Sequence, residues 1–424
     1  MMSFLFKGLL RDRSRSLFPF LVVVAGVMLT IIVYCWIMGV TSDMIRAAAN
    51  FDTGHVKIMT QAYADEVDQM PNDLAFLGVD GLLKELRNNF SKFVWAPRIK
   101  FGGLLDIPDE QGETRSQGPV AGLAVDILSP TSPEWNILNL ERAIVRGRLP
   151  KIQGEILLSD DFARQLNVKL GETATLISST MYGSMATANF IVVGTIRFGM
   201  MAMDRGAMIA DITDIQLALD MEDGAGEILG FSDDFIYREE KAEELSNEFN
   251  SRFQNKKDEF TPVMKSLHKQ GGLAELLTMM EPIIGGIVVV FVGIMAIVLW
   301  NAGLMGSLRR YGEIGVRLAI GETKGHLYRS LIAESLMIGL FGSILGTALG
   351  LGCAYFLQTV GFDVGSMMKN ATLLMSNVMR ARITPGSFII GFVPGFLATV
   401  LGTSISGISI YKRQTSQLMK ELEV

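Results

Sequence analysis

A basic island set between two apolar runs constrains this chain more than any other feature. Residues 304–335 read LMGSLRRYGEIGVRLAIGETKGHLYRSLIAES, and the runs on either side, 282–303 and 331–357, are each long enough to cross a bilayer as a helix. A loop this short stays on one side of the membrane and returns at once. Arg309, Arg310, Arg317, Lys324 and Arg329 outnumber Glu313 and Glu322, which puts that side in the cytoplasm. Within the island, 313–321 reads as a short amphipathic helix, with Ile314 and Leu318 on one face and Gly315 and Gly321 bracketing its charged part. An element of this kind between two spans is presented to a partner.

Composition agrees with a membrane protein carrying one sizeable extramembrane domain. Hydrophobic residues make up 49% of the chain and glycine contributes 44 positions. The net charge of −6 averages over basic residues next to the apolar runs and an acidic excess in the long polar region. No basic face large enough to track phosphates lies outside the juxtamembrane segments, which argues against nucleic acid. Cys35 and Cys353 both fall in apolar runs and leave no disulfide framework or CxxC chemistry. His55, His268 and His326 are isolated from one another and from metal-ligand spacing.

In chain order, residues 1–16 alternate Phe and Leu with Lys7, Arg11, Arg13 and Arg15, a pattern for a helix in the cytoplasmic headgroup layer. Residues 17–40 form the first span. An apolar run of about 24 residues exceeds the 7–15 of a signal core, so it is expected to stay as an anchor. No span follows until about residue 280, and this region is large enough for its own core and for two lobes. Strand patterns run at 55–59, 93–107, 120–125, 143–146, 155–158, 173–178 and 190–196. Helix patterns run at 42–50, 80–90, 160–166, 211–221 and 239–253. No regular βαβ rhythm links them, so α+β is the expected class. Gly271-Gly272 marks a hinge before the second span. The third span carries Gly342, Gly346 and Gly350 at four-residue spacing, a face for close helix packing. Glu334 near its start should face protein or the interface. A loop over 362–382 holds Met367, Met368, Met375 and Met379, and the last span, 387–410, carries Pro394 as its kink. Lys412, Arg413 and Lys420 keep the end of the chain inside.

Sites inside the chain are few. Asp233-Asp234 and 238–244 lack the alternate-position ligands of a calcium loop, and Gly118 to Gly122 lacks the Lys-Ser/Thr of a phosphate loop. Walker A, Gly-x-Ser-x-Gly and HExxH motifs are absent, which excludes the common autonomous hydrolases.

The stretch EIGVRLAIGETKGHLYRSLIAESLMIGLFGSILGTALG resembles the signature of FtsX-like/MacB-type permeases of ABC transporters. AIVRGRLP, GEILLSDDFARQLNVKLGETATLIS, FIVVGTIRF and AMIADITDIQLAL look like that family's periplasmic core in the same order. Glu322 departs from the small residue usual after the glycine, and the tail lacks the family's Pro-containing segment. The resemblance implies an α-helical membrane protein with four transmembrane helices and a large α+β periplasmic domain between helices 1 and 2. Its parts are 1–16 (cytoplasmic amphipathic helix), 17–50 (helix 1 and stalk), 51–270 (periplasmic core) and 271–303 (stalk and helix 2). Then come 304–330 (coupling loop), 331–358 (helix 3), 359–386 (periplasmic loop), 387–410 (helix 4) and 411–424 (cytoplasmic tail), with both termini cytoplasmic in the bacterial inner membrane.

It also implies a non-catalytic subunit of a type VII transporter working by mechanotransmission. The chain would pair with a second permease, as a homodimer or heterodimer, and bind a cytoplasmic ABC ATPase dimer that holds ATP and Mg; the chain itself would hold no cofactor. Arg310, Glu313, Gly315, Arg317, Gly321 and Lys324 would meet the ATPase. A layout without a fused ATPase, with TGHVKIMTQAY and GPVAGLAVDILSP, is similar to the lipoprotein-releasing LolC and LolE permeases. The alternatives are MacB-like export of a periplasmic peptide, antibiotic or toxin, with a periplasmic adaptor, and an FtsX-like scaffold for cell-wall hydrolases.

Overall fold

The computed structural model describes residues 13–198, 204–253, 258–308, 311–363 and 378–412. Two compact units emerge, one built mainly from Met44–Met279 and the other from the flanking segments. The first helix, α1 (Arg13–Ala48), carries no charge between positions 17 and 40. Val and Ile favour strands in water, but in lipid only a helix satisfies every backbone group of a single segment. The helix ends in a π-turn, Ala49–Thr53, closed by the Gly54 amide donating to the Ala49 carbonyl at 2.9 Å.

The larger unit is a mixed sheet dressed with short helices. Its elements are β1 (Val56–Thr60), β2 (Phe76–Leu77), α2 (Val79–Asn89), β3 (Phe93–Pro108), β4 (Thr114–Val125), β5 (Ile144–Gly147), β6 (Glu155–Ser159) and α3 (Asp160–Gln165). They continue with β7 (Thr173–Ser179), β8 (Met185–Ile196), β9 (Ala207–Asp211), α4 (Ile212–Ala218), β10 (Gly224–Ala225), β11 (Glu227–Ser232), α5 (Glu239–Ser251) and β12 (Pro262–Ser266). Ten strands join in the order β12-β1-β11-β3-β4-β9-β6-β8-β5, with β7 bonded to β3 and β8. The pairs β4–β9 and β6–β8 are parallel and the rest antiparallel.

Both faces of this sheet are covered. Ile156 and Leu158 of β6 and Met208 and Ala210 of β9 point into one core, while Leu157 and Ile209 between them point into another. A third cluster gathers Val56, Ile58, Trp95 and Ile228 under α2 and α5. The two expected lobes are therefore one body: β3, at 16 residues, pairs with β11 along its first part and with β4 and β7 further on. Gly122 of β4 admits the Phe101 ring of β3, where an added Cβ would lie 2.0 Å from that ring.

The other unit holds α6 (Gly271–Leu308, which begins in the sheet-bearing unit), α7 (Tyr311–Ala319), α8 (Lys324–Val360) and α9 (Phe392–Lys412). Among the described residues four helices are long and apolar enough to cross a membrane, by length and composition. Gly271 and Gly272 open α6 instead of breaking it, and the helix runs unbroken past Pro282. A one-turn helix, Ser387–Ile390, precedes α9, and the break falls at Gly391. Pro394 explains its place, since proline offers no amide to the Ile390 carbonyl, and the Gly395 amide resumes the ladder on Gly391 at 3.1 Å. Residues 1–12, Arg310, Met367, Met368, Met375, Arg413 and Lys420 lie outside the described residues.

His55 ties the sheet to a pH dependence. It is 5% exposed, lies against Phe231 and Tyr237, and its Nδ1 accepts the Ser232 amide at 3.1 Å. Burial holds its imidazole down to about 4. Below about 6.5 the unfolded chain takes up a proton that the folded chain refuses until about 4, so stability is lost as pH falls through that window, by about 3 kcal/mol when complete. The melting temperature of the full chain in detergent should drop between pH 7 and pH 4.5, and His55→Gln should flatten that drop.

Candidate coupling sites

The polar island folds as a helix with a sharply defined end. Gly321 sits at φ +100°, where a side chain is strained. It lets the Glu322 amide reach the Arg317 carbonyl and its own amide reach the Leu318 carbonyl, both at 3.1 Å. This paired closure satisfies two otherwise orphaned carbonyls of α7. Glu322, the residue that departs from the family pattern, then faces His326 at 3.6 Å across the start of α8. Gly315 is buried, while Arg317 is exposed on α7. Val316 and Ile320 are 43% and 81% exposed and stand four residues apart, so α7 presents an apolar stripe beside a guanidinium. Lys324 opens α8. Glu313 lies on α7, with its side chain outside the described residues, as is Arg310 altogether. Gly315, Arg317, Gly321 and Lys324 thus lie on the last turns of α7, the turn that ends it and the start of α8.

The glycines of α8 meet α1. An added Cβ would lie 2.9 Å from the Val23 side chain at Gly342, 2.8 Å from the Val24 carbonyl oxygen at Gly346, and 3.0 Å from Ile31 Cβ at Gly350. Backbone approaches backbone here because no side chain stands between them. Gly339, one position off this row, faces Phe396 and Thr399 of α9 instead. Val23, Val27, Ile31 and Cys35 of α1 are buried against this junction together with Ile338, Ala354 and Ala398.

A second site, absent from the sequence-level candidates, lies where α1 ends in the sheet-bearing unit. The π-turn leaves carbonyls to satisfy. Arg98 of β3, fully buried, donates Nη1 to the Phe51 carbonyl at 3.0 Å and grips Glu134 with Nε and Nη2, each at 2.7 Å. Gln270, the residue before α6, donates Nε2 to the Thr53 carbonyl at 3.0 Å, and the Leu267 amide donates to the His55 carbonyl at 3.2 Å. The end of α1 and the start of α6 are thereby tied to each other and to β3.

Beneath the turn, Lys57 and Lys100 share Asp52 and Glu227. Nζ of Lys57 is 2.9 Å from Glu227 and 3.4 Å from Asp52; Nζ of Lys100 is 3.1 Å from Glu227 and also contacts Asp52. Burial opposes the charge on Asp52, but the two ammonium groups outweigh it and hold the carboxyl well below the usual range. Burial also pushes the Lys57 amine down, against the pull of Glu227. Lys57 and Glu227 are buried while Asp52 is exposed, and a balanced set of two cations and two anions keeps each ion paired, which is the condition for burying the inner two. A charge inside the otherwise apolar strands VKIMT and FVWAPRIKF is the signal that could have pointed here.

Gly346→Leu should separate α8 from α1. The expected result is a protein inserted in the membrane at wild-type level, with its melting temperature in detergent lowered by several degrees, and with Gly352→Leu, which meets open space within the chain, as a neutral control.

Comparison with known proteins places this arrangement. Residues 285–415, which contain most of α6 and all of α7, α8 and α9, match the model of the FtsX-like permease C-terminal domain. An uncharacterised ABC transporter permease of Methanocaldococcus jannaschii is 27% identical over 141 residues, covering 32% of this chain and 35% of that protein. A probable export ATP-binding/permease protein MacB of Pseudomonas entomophila is 25% identical over 268 residues, covering 59% of this chain and 38% of that protein. The chain thus spans just over a third of the length of these curated relatives. The periplasmic region of MacB from Actinobacillus actinomycetemcomitans aligns with 54% of this chain and 94% of its own at 10% identity, with a TM-score of 0.36. Residues 285–415 thus match the FtsX-like permease C-terminal domain, and the chain is similar to ABC transporter permeases, MacB among them.

Proposed function

We propose that this chain is the permease subunit of an ATP-driven transporter that carries motion from a cytoplasmic ATPase to an extracytoplasmic domain. In this reading the four apolar helices span the inner membrane, both ends of the chain lie in the cytoplasm, and the sheet-bearing unit stands outside. The observation that carries it is α7: a short helix with an exposed apolar stripe and Arg317, ended by a fixed turn at Gly321, inside the region that matches the permease family. Such a helix suits a groove in a partner. That partner is an ABC ATPase dimer, which holds the ATP and Mg; Arg310, Glu313, Arg317 and Lys324 supply charge to the contact and Gly315 and Gly321 permit close approach. Exposed Ile283, Ile287, Ile294 and Ile297 on α6 suit lipid or the helix of a second permease subunit.

Closure of the ATPases on ATP would shift α7, and with it α6 and α1. Both of these helices enter the sheet-bearing unit at the Arg98–Gln270 tie, so their motion would arrive there as a change in that unit. No cargo need cross the bilayer for this to do work. The MacB relatives are named for export, which supports export of a substrate from the periplasmic side as the first reading of cargo. Lipoprotein release is the second, supported by the segments TGHVKIMTQAY and GPVAGLAVDILSP.

Reversing both charges, Glu313→Lys with Arg317→Glu, should leave membrane insertion unchanged and cut the ATPase recovered with the purified chain at least tenfold. Normal recovery of the ATPase would overturn the docking role of α7.

A further inference from the structure

Three guanidinium groups converge on one carboxylate at the β5 end of the sheet. Asp160, at the start of α3, is 1% exposed. Thr195 of β8 donates its hydroxyl to Oδ1 at 2.8 Å, and Arg146 of β5 donates Nε to the same oxygen at 2.6 Å. Arg164 of α3 brings Nη2 to 2.8 Å from Oδ2, and Arg197, just past β8, brings its Nη2 to 4.0 Å. Other arginines of this unit pair with a single carboxylate: Arg98 with Glu134, Arg115 with Glu172, Arg148 with Glu155.

The cluster therefore carries more donors than Asp160 can use. Each guanidinium has five N–H groups in a rigid fork; Arg146 and Thr195 donate to Oδ1 of the buried carboxylate and Arg164 pairs with Oδ2, which leaves most of these donors unused. Nη2 of Arg146 is enclosed and has no acceptor among the described residues. Arg164 and Arg197 are 62% and 56% exposed and turn their remaining donors outward. The neighbouring acids are Asp161, next on α3, and Asp204, whose Oδ1 accepts the Phe198 amide at 2.8 Å. The concentration of arginine also runs against the surroundings, since positions 44–279 hold 35 acidic and 23 basic residues.

We propose that Arg146, Arg164 and Arg197 form an oxyanion site for a phosphate group, borne either by inorganic phosphate or by a lipid headgroup. Three forks arriving from three separate elements suit a tetrahedral anion with three outward oxygens better than a planar carboxylate. Arg146 and Asp160 hold the floor, and Arg164 and Arg197 form the exposed rim.

The test is calorimetric titration of the full chain in phosphate-free detergent, with inorganic phosphate and, separately, with dihexanoyl phosphatidylglycerol. Wild type should bind at least one probe saturably. Arg164→Gln with Arg197→Gln should weaken that binding at least tenfold and, because Arg164 pairs with Oδ2 of the buried Asp160, lower the melting temperature by a few degrees. Arg197→Gln alone, which touches only the rim, should weaken it severalfold and serves if the double variant folds poorly. Tighter binding of inorganic phosphate identifies a free anion as the ligand, and tighter binding of the short-chain lipid identifies a headgroup. No saturable binding of either probe to wild type, or equal binding by the variants, would overturn the site.

Discussion

Arg98 carries the interaction on which the rest depends. Its guanidinium, shut away from water, holds Glu134 with two hydrogen bonds and still has a donor for the Phe51 carbonyl. A buried ion pair contributes little net stability, because desolvating both ions consumes most of the Coulombic gain. What it contributes is geometry, since a planar fork accepts only one arrangement of its partners. Here that arrangement fixes the last turn of α1 to β3, the strand that the separate cores of the sheet share. Gln270 does the same for the start of α6. The end of one helix and the start of another thus meet the same sheet, beside the paired charges of Lys57, Lys100, Asp52 and Glu227.

A joint built this way differs in kind from the contacts lower in the chain. Between α1 and α8 the approach is apolar and close, made possible by Gly342, Gly346 and Gly350, and its strength lies in dispersion over a smooth seam. Such a seam resists separation and permits sliding. The joint at Arg98 and Gln270 is directional, made of hydrogen bonds to named carbonyls, and resists rotation. In the proposed transmission of motion, the first would serve as a bearing and the second as a fixed attachment. The α7 end is different again, with Ile320 and Val316 left uncovered on a helix whose terminus is locked by Gly321.

Much of this was legible in the sequence where a local rule governs. Strands β1, β3, β4, β5, β6, β7 and β8 fall on the runs that alternation and β-branched residues mark out. Strands β9, β11 and β12 escaped: AMIAD is buried on both faces, so no polar-apolar alternation marks it, and EILGFS sits among glycines that read as turns. The amphipathic pattern near 313–321 corresponds to α7, and glycine spacing placed three residues on the face that meets α1. The joint was out of reach because its partners are distant in sequence: 36 residues separate Arg98 from Glu134 and 170 separate Lys57 from Glu227. A lone charge in an apolar strand announces that a partner exists, and only the register of the sheet says which. Gly271-Gly272, expected as a hinge before the second span, stands at the start of α6. A glycine pair weakens a helix in isolation, yet here it falls at the first turn, where the amides have no helical partner anyway.

The central claim, that motion of the membrane helices reaches the sheet through the Arg98 joint, is tested most directly by a distance measurement. Spin labels at the exposed Tyr182→Cys and Tyr355→Cys positions of one chain would be followed in the proposed complex with an ABC ATPase, with and without ATP. The comparison is between wild type and Arg98→Met with Glu134→Leu, a pair of substitutions that removes both charges together and so leaves no buried ion unpaired. The account predicts an ATP-dependent change in the label-to-label distance in wild type that is lost in the double variant while ATP hydrolysis continues. The same change in both proteins would contradict it.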